Sequence, residues 1–524
     1  MDIYSILLLL SFTTAVCLIQ HVAAQHENIP YENVANICET CVCLETQAVA
    51  NKNQTHHNTL SCVMKGFKHI LARWPEEFGK HNYKDNIIVA SFSGNTIDIL
   101  QQLPSTNSTL SFACRHCGIK HLQAPTFMDV PNIISLDLAY NEITNDELTP
   151  DVFRGPYHIT SYEPIALKEL DLSHNKLSSL DRRIFEHTPN ITKLNLSWND
   201  FKVLDNPTTM ALASASLLQD LDLSHTGIKS MATVIFEKLT SLKTLNLAGN
   251  DFVHLPENFQ LIGQSMRSLN LAGNKFNDFS EGSFLGLKAL LRLNISGMPN
   301  LKSIQNNTFS RLEHLTHLDC SNNHKLETFD LDSLMHCGNL TYLDISYCSL
   351  TTLNLNMDLS SVSAANNTNV TLPKPWPLLK TFKTIGNLWM CDCQLFQVLE
   401  YTGSHHLYAD EPIRCDGPYI FAGARLSNLT STQICSMEIP IKYKVIDEDP
   451  PRFRRKRYII LTVITASVVV VLGLIIGFIV VCIRRRLKRD DFGVEPIRYT
   501  SVRSSNLSAF SQGHTNGALS NGSV

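Results

Sequence analysis

The chain of 524 residues carries no strong excess of either charge: Lys and Arg number 44, Asp and Glu 48, for a net charge of −4. That balance argues against a general nucleic-acid binder. Charged residues make up only 18% of the chain and hydrophobic ones 44%, too apolar for a disordered protein and ample for a core. Nucleophile elbow, phosphate-binding loop and zinc-binding His pair on a helix are all missing. No catalytic, cofactor-binding or metal-binding residue is therefore assigned, and enzyme activity is not expected. The pairs His56-His57 and His405-His406 lack a carboxylate or Cys spacing suited to a metal and read as solvated loop residues.

One absence is local. Residues 458–483 form a run of 26 without a single charge. As a helix the run would span about 39 Å, enough for a bilayer core with some tilt, and it shows no polar stripe. A second, shorter apolar run at residues 5–19 leads into Val22-Ala23-Ala24, whose small residues suit signal peptidase, so cleavage before Gln25 is expected. Basic clusters at 452–457 and 484–489 flank the long run alike, so loop charge does not orient it. The leader does, putting the N-terminus outside and a short tail in the cytoplasm. Ten Asn-x-Ser/Thr acceptors precede the run: Asn53, Asn107, Asn190, Asn195, Asn294, Asn306, Asn339, Asn366, Asn369 and Asn428. Arg454-Arg455-Lys456-Arg457 matches a convertase pattern, for which binding to lipid headgroups is the simpler reading.

What fills the body is repetition. Aligned on L-x-x-L-x-L-x-x-N-x-L, thirteen registers start at Ile87, Thr109, Ile133, Leu167, Ile191, Leu218, Leu242, Met266, Leu290, Leu315, Leu340, Leu359 and Leu379. Most steps are 24 or 25 residues, which is the leucine-rich-repeat period. Each L-x-L reads as a short strand with two aliphatics inward and one residue outward. One repeat cannot bury its own aliphatics, so neighbours must stack. The fold class is thus an α/β solenoid: a curved leucine-rich-repeat horseshoe with a parallel concave sheet of thirteen strands. The Asn at positions 95, 141, 175, 199, 250, 274, 323, 367 and 387 is expected to turn inward and satisfy backbone groups, with Cys117, Thr226 and Cys348 replacing it. The 34-residue step after Ile133 holds an insert near residues 155–165, read as a surface loop leaving the convex or edge side.

Solenoid ends need caps. Cys38, Cys41, Cys43 and Cys62 precede the repeats, and Cys391, Cys393, Cys415 and Cys435 follow them. Behind a signal peptide these read as disulfides, and spacing leaves three pairings open at each end. The segments NLWMCDCQL and C-x-x-C-x-C, with Cys62, Cys415, Pro418, Gly423 and Cys435, resemble the capped extracellular leucine-rich-repeat superfamily. The layout is similar to single-pass adhesion proteins of the tartan and capricious type. That resemblance implies Cys38–Cys43, Cys41–Cys62, Cys391–Cys415 and Cys393–Cys435. Cys114, Cys117, Cys320, Cys337 and Cys348 are left over and read as buried thiols. The expected divisions are signal peptide 1–24, N-terminal cap region 25–86, repeats 87–386, C-terminal cap 387–437, stalk 438–457, transmembrane helix 458–483 and cytoplasmic tail 484–524.

Two outward columns remain for function. The residue between the paired aliphatics reads Asp137, Asp171, Asn195, Asp222, Asn246, Asn270, Asn294, Asp319 and Asp344, mainly structural but acidic enough to favour a basic partner. Three positions later the column runs His116, Tyr140, His174, Trp198 and His225 before turning to glycine. Tyr140, His174, Trp198 and His225 are candidate partner-binding anchors, flanked by Glu169, Lys193 and Asp220. The expected function is a single-pass plasma-membrane recognition or adhesion protein, N-terminus extracellular, binding an extracellular or cell-surface protein or a second copy of itself. The alternative is a ligand-binding co-receptor in innate immunity or growth-factor signalling. Neither uses nucleic acid or a cofactor.

Overall fold

A computed structural model describes residues 37–50, 53–79, 86–355, 375–402 and 413–435. All belong to one compact unit, Met1–Val445; the second unit, Ile446–Val524, lies outside the described residues. Also outside are the expected signal peptide, transmembrane helix and tail, the sequons at Asn366 and Asn369, Asn367 and His405-His406. Among the described residues no helix is long and apolar enough to cross a membrane.

The repeats build one face of a 14-stranded sheet. In the strand Glu169–Asp171 only the central Leu170 is buried, and Leu172 follows it into the core. Register carries this inward row from strand to strand: Leu136, Leu170, Leu194, Leu221, Leu245, Leu269, Leu293, Leu318, Leu343 and Phe382 are successive partners. Each fully buried leucine contributes about 1.5–3 kcal/mol, which is why the pattern tolerates so little at these positions.

The inward Asn residues close the bend after each strand. Asn250 donates through Nδ2 to the carbonyls of Leu223 (2.8 Å) and Leu247 (3.0 Å). Its Oδ1 accepts from the N–H of Thr226 (3.0 Å) and Ile228 (3.2 Å). One amide thus stitches two repeats together. The repeat from Leu290, which has Gly297-Met298-Pro299 in place of the motif's end, borrows its partner from the next one: Asn323 Oδ1 accepts from Met298 N (2.7 Å). The substitutes act alike on a smaller scale, with Thr226 Oγ1 donating to Leu223 O (2.8 Å) and Cys348 Sγ to Cys320 O (3.3 Å).

Twelve of the expected thirteen registers supply ladder strands. The strand Tyr342–Asp344 pairs directly with Thr381–Lys383, so the register from Leu359 adds no rung between them. Residues 356–374, which hold that register, lie outside the described residues; in sequence its inward positions are Val362 and Ala364, set among Ser360, Ser361 and Ser363, a smaller apolar pair than the leucines elsewhere. The ladder gains two strands elsewhere. The antiparallel hairpin Val42–Ala50 and Asn53–Ser61 extends it, and its second strand runs parallel to Asn86–Ser91. His56 and His57 are therefore strand residues rather than loop residues, and the buried His56 lies 3.2 Å from the Glu45 carboxylate.

Disulfides Cys38–Cys43 and Cys41–Cys62 hold that hairpin end. At the other end Asp392 caps the helix Cys393–Tyr401, its Oδ1 accepting from Leu395 N (2.8 Å), and buried Trp389 donates through Nε1 to Thr384 O (2.9 Å), just after the last strand. Cys391–Cys415 and Cys393–Cys435 tie this segment together. A fifth bond corrects the reading of the leftover cysteines: Cys114 and Cys117 are joined. They sit three residues apart in one repeat, where the sixth and ninth positions of the motif both turn inward. Cys320, Cys337 and Cys348 are buried free thiols. Burial pushes Cys337 and Cys348 up to about 12 and Cys320 well above the usual thiol range, so all three stay protonated and unreactive.

The insert after the turn Pro150–Phe153 is a small hairpin, Tyr157–His158 against Ser161–Tyr162. Tyr157 and Ile159 point into solvent at its tip. At its base the Arg154 guanidinium lies 4.6 Å from the Tyr162 ring.

Candidate binding face

The solvent side of the ladder carries three columns. At the end of each strand the acidic and amide residues do structural work first. Asp137, Asp171, Asn195, Asp222, Asn246, Asn270, Asn294, Asp319 and Asp344 each accept, through Oδ1, the N–H two residues on, at 2.8–3.1 Å. This local bond turns the chain out of the strand. The second oxygen faces sideways: Asp171 Oδ2 accepts from Asn195 Nδ2 (3.1 Å) and Asp222 Oδ2 from Asn246 Nδ2 (2.8 Å). Burial raises the Asp137 carboxyl above its ordinary range, and the charge of Asp171 adds to the rise, offset by the Ala139 N–H and by Arg115.

The second column is aromatic. His116, Tyr140, His174, Trp198 and His225 all stand at φ between 51° and 58°, the left-handed region. The turn out of the strand demands that conformation, because there the N–H of Tyr140, His174 and Trp198 reaches the carbonyl of Ser173, Ser197 and Ser224 in the next repeat, each at 2.9 Å. A non-glycine residue there costs about 1–2 kcal/mol. Stacking offsets it, at about 0.5–1.5 kcal/mol per aromatic pair. The rings form one continuous pile: His116–Tyr140 centroids are 4.1 Å apart, Tyr140–His174 3.9 Å, His174–Trp198 5.1 Å and Trp198–His225 4.1 Å, with planes within 24° of parallel. The pile ends because the next residues are Gly249, Gly273 and Gly297. The His225 ring lies over Gly249 where a Cβ would stand, while Gly273 and Gly297 leave open backbone.

Tyr140 and Trp198 remain exposed, Trp198 by 51%. Burial lowers His174, overcoming the opposite pull of Asp171, with His116, Arg115 and His225 adding to the fall. Beside the pile, Glu169, Lys193 and Asp220 occupy one register on adjacent strands, and Lys193 Nζ meets Glu169 Oε1 at 2.6 Å. The structure thus gathers all seven candidate anchor residues on one face. Arg115 was not among them, yet its guanidinium lies 5.6 Å from the Tyr140 centroid, and its Nε 3.4 Å from Asp137 Oδ2. The signal for it was its place one residue before His116, where the other repeats have Ser or Ala, apart from Ile385 in the last.

Of the expected glycosylation acceptors, Asn107, Asn190, Asn306, Asn339 and Asn428 are exposed. Asn195 and Asn294 are half-buried on ladder strands, in the carboxylate column. The side chain of Asn53 lies outside the described residues.

A leucine-rich-repeat family description matches residues 162–201 and 298–350, and a second one residues 339–374. The chain is similar to mouse CD180 antigen, 26% identical over 357 residues, covering 66% of this chain and 45% of that protein. It is similar to chicken Tsukushi, 28% identical over 253 residues, covering 43% of this chain and 65% of that one. The chain therefore spans less than two thirds of either relative. The crystal structure of human 5T4 (trophoblast glycoprotein) aligns with a TM-score of 0.38 at 17% identity, over 50% of this chain and 91% of that one. The inward leucine rows, the Asn stitching and the matched repeats at 162–201 and 298–350 together support a leucine-rich-repeat chain with disulfide-bonded cysteines at both ends of its ladder.

Proposed function

We propose that the chain is a single-pass cell-surface recognition or adhesion protein that binds a protein partner through the ladder face, with no chemistry of its own. The observation that carries this is the exposed ring pile from His116 to His225, on the face that also carries the Glu169, Lys193 and Asp220 row. Tyr and Trp bury much area with few rotors to freeze, and here stacking has already fixed them. A partner would meet a surface whose ordering cost is largely met before contact. The anchor would be the uncharged run at 458–483 and the outside face the one that carries the ten sequons. Occupancy at both Asn195 and Asn294 would confine a partner to the first few repeats, an edge or the convex side, and peptide mapping by mass spectrometry reads this directly.

The test is a binding screen of the full chain, displayed on cells, against secreted and surface proteins. A partner is expected whose binding is lost in the pair Tyr140→Ala and Trp198→Ala while surface display persists. Aggregation of the displaying cells would identify a surface partner or a second copy; capture of a soluble protein without aggregation would favour the co-receptor alternative. Partners indifferent to both substitutions would refute the face.

A further inference from the structure

The repeats supply their own example of what this face holds. Arg115 rests against the Tyr140 ring while its Nε reaches Asp137 Oδ2 at 3.4 Å. Near the other end a second cation stands by a carboxylate and a ring, in a different register: Lys383 Nζ lies 5.6 Å from the Tyr342 ring centroid and 3.6 Å from Asp344 Oδ2. Twice, then, a carboxylate of the central column and a neighbouring ring share a cation.

Arg115 belongs to the repeat before Asp137 and Tyr140, at the motif's seventh position. Moving along the solenoid, the residue at that position is Ala139 before Asp171 and His174, and Ser197 before Asp222 and His225. Both are small and buried, so no side chain of theirs covers the ring-and-carboxylate pair that follows. Asp171 and Asp222 each turn Oδ2 to an asparagine amide only, which leaves accepting capacity on a charged oxygen. Among the described residues neither forms an ion pair with Lys or Arg. Asp137 and Tyr140 stand at the motif's fifth and eighth positions; so do Asp222 and His225, and so do Asp171 and the His174 ring. Burial keeps that ring in its neutral form around pH 7, where it does not repel a cation.

We propose that the ladder face takes a basic segment of a partner protein, whose arginine side chains dock at Asp171/His174 and Asp222/His225 as Arg115 docks at Asp137/Tyr140. A planar guanidinium suits such a site by donating to the carboxylate while lying against the outer edge of the pile, since Tyr140 and Trp198 cover both faces of the His174 ring. The two sites are two rungs apart, about 9.6 Å, within reach of arginines on alternate residues of an extended strand. This rests on the ladder face being the binding surface and adds the chemistry of what binds it.

The test uses the purified full-length chain in detergent, with half-buried Trp74 replaced by Phe, and the emission of Trp198, which is far more exposed than buried Trp376 and Trp389. The probe is a peptide with arginine at every second position, compared with its lysine and citrulline counterparts. The arginine peptide is expected to bind about tenfold tighter than the neutral citrulline one, the loss of charge-assisted bonds at two sites, with lysine between. Asp171→Ser with Asp222→Ser should weaken it by a similar factor without unfolding, because a serine hydroxyl can accept the same N–H two residues on, and neither change creates the glycosylation acceptor that asparagine before Leu172-Ser173 or Leu223-Ser224 would. Glu257→Gln with Glu281→Gln removes equal charge from exposed positions off the ladder strands and should change nothing. Equal binding of the citrulline peptide, equal weakening by the control pair, or no arginine-peptide binding would overturn the proposal. A screened partner that needs Tyr140 and Trp198 but ignores the Asp171 and Asp222 changes would also overturn it, while leaving the broader reading in place. Arginine-peptide binding that follows Asp171 and Asp222, with no screened partner dependent on Tyr140 or Trp198, would support the docking chemistry and count against the broader reading.

Discussion

The inward asparagines and the ring pile solve opposite problems with single side chains. Asn250 satisfies four backbone groups from inside, so Asn250→Ala strands buried donors and acceptors at about 1–3 kcal/mol each. A loss of at least about 2 kcal/mol is expected, read as a lower denaturant midpoint at an unchanged slope. Asp137 behaves in the other direction. Its carboxyl is raised by burial, so its ionised form disfavours the folded state as pH rises through the carboxylate range. Asp137→Asn keeps the bond to Ala139 and gives up only the half-exposed Arg115 pair. Its stability above pH 6 should match the parent's within about 1 kcal/mol. His174 is lowered by burial, so the unfolded chain takes up its proton first, and stability falls as pH drops from 6.5 toward the lower folded value. His174→Gln should flatten that part of a denaturation-midpoint profile between pH 7.5 and 5.5. Sequence showed which residues stand in the aromatic column, since spacing alone sets that. It did not show that they stack, because the left-handed backbone that aligns the rings is a habit of glycine and asparagine, not of Trp, Tyr or His.

At the level of elements, periodicity was legible wherever leucines filled the inward rows, and failed where they did not. The register from Leu359 matched the motif by letter, but the ladder passes from Asp344 to Lys383 without it. The insert after Phe153 was visible as a long step, yet its hairpin was not, since no Asn-Gly or Gly-Gly turn announces it; Ile159 takes the left-handed position instead. Cysteine arithmetic likewise missed Cys114–Cys117, because inward registers suit a thiol and a disulfide equally. Cys114→Ser with Cys117→Ser opens a very short loop, for which chain entropy gives about 2 kcal/mol. The pair should therefore fold but melt lower, whereas cutting Cys41–Cys62 exposes the end of the whole apolar stack and should cost more.

For the whole molecule the stacked repeats make a rigid rail whose outer side is nearly free of structural duty beyond the Asx turns, which is why binding chemistry can accumulate there. The account stands on that side being the contact surface, and the chain itself offers a way to block it. Ser197 and Ser296 complete sequons at Asn195 and Asn294, and Ala248 holds the same position after Asn246. Ala248→Ser therefore creates an acceptor beside His225 and Gly249 with a residue the fold already uses there. The most direct measurement is partner binding by cells displaying this variant, with glycan attachment at Asn246 verified by mass. Binding is predicted to disappear while display is unchanged; full binding with the glycan in place would contradict the ladder face as the site of recognition.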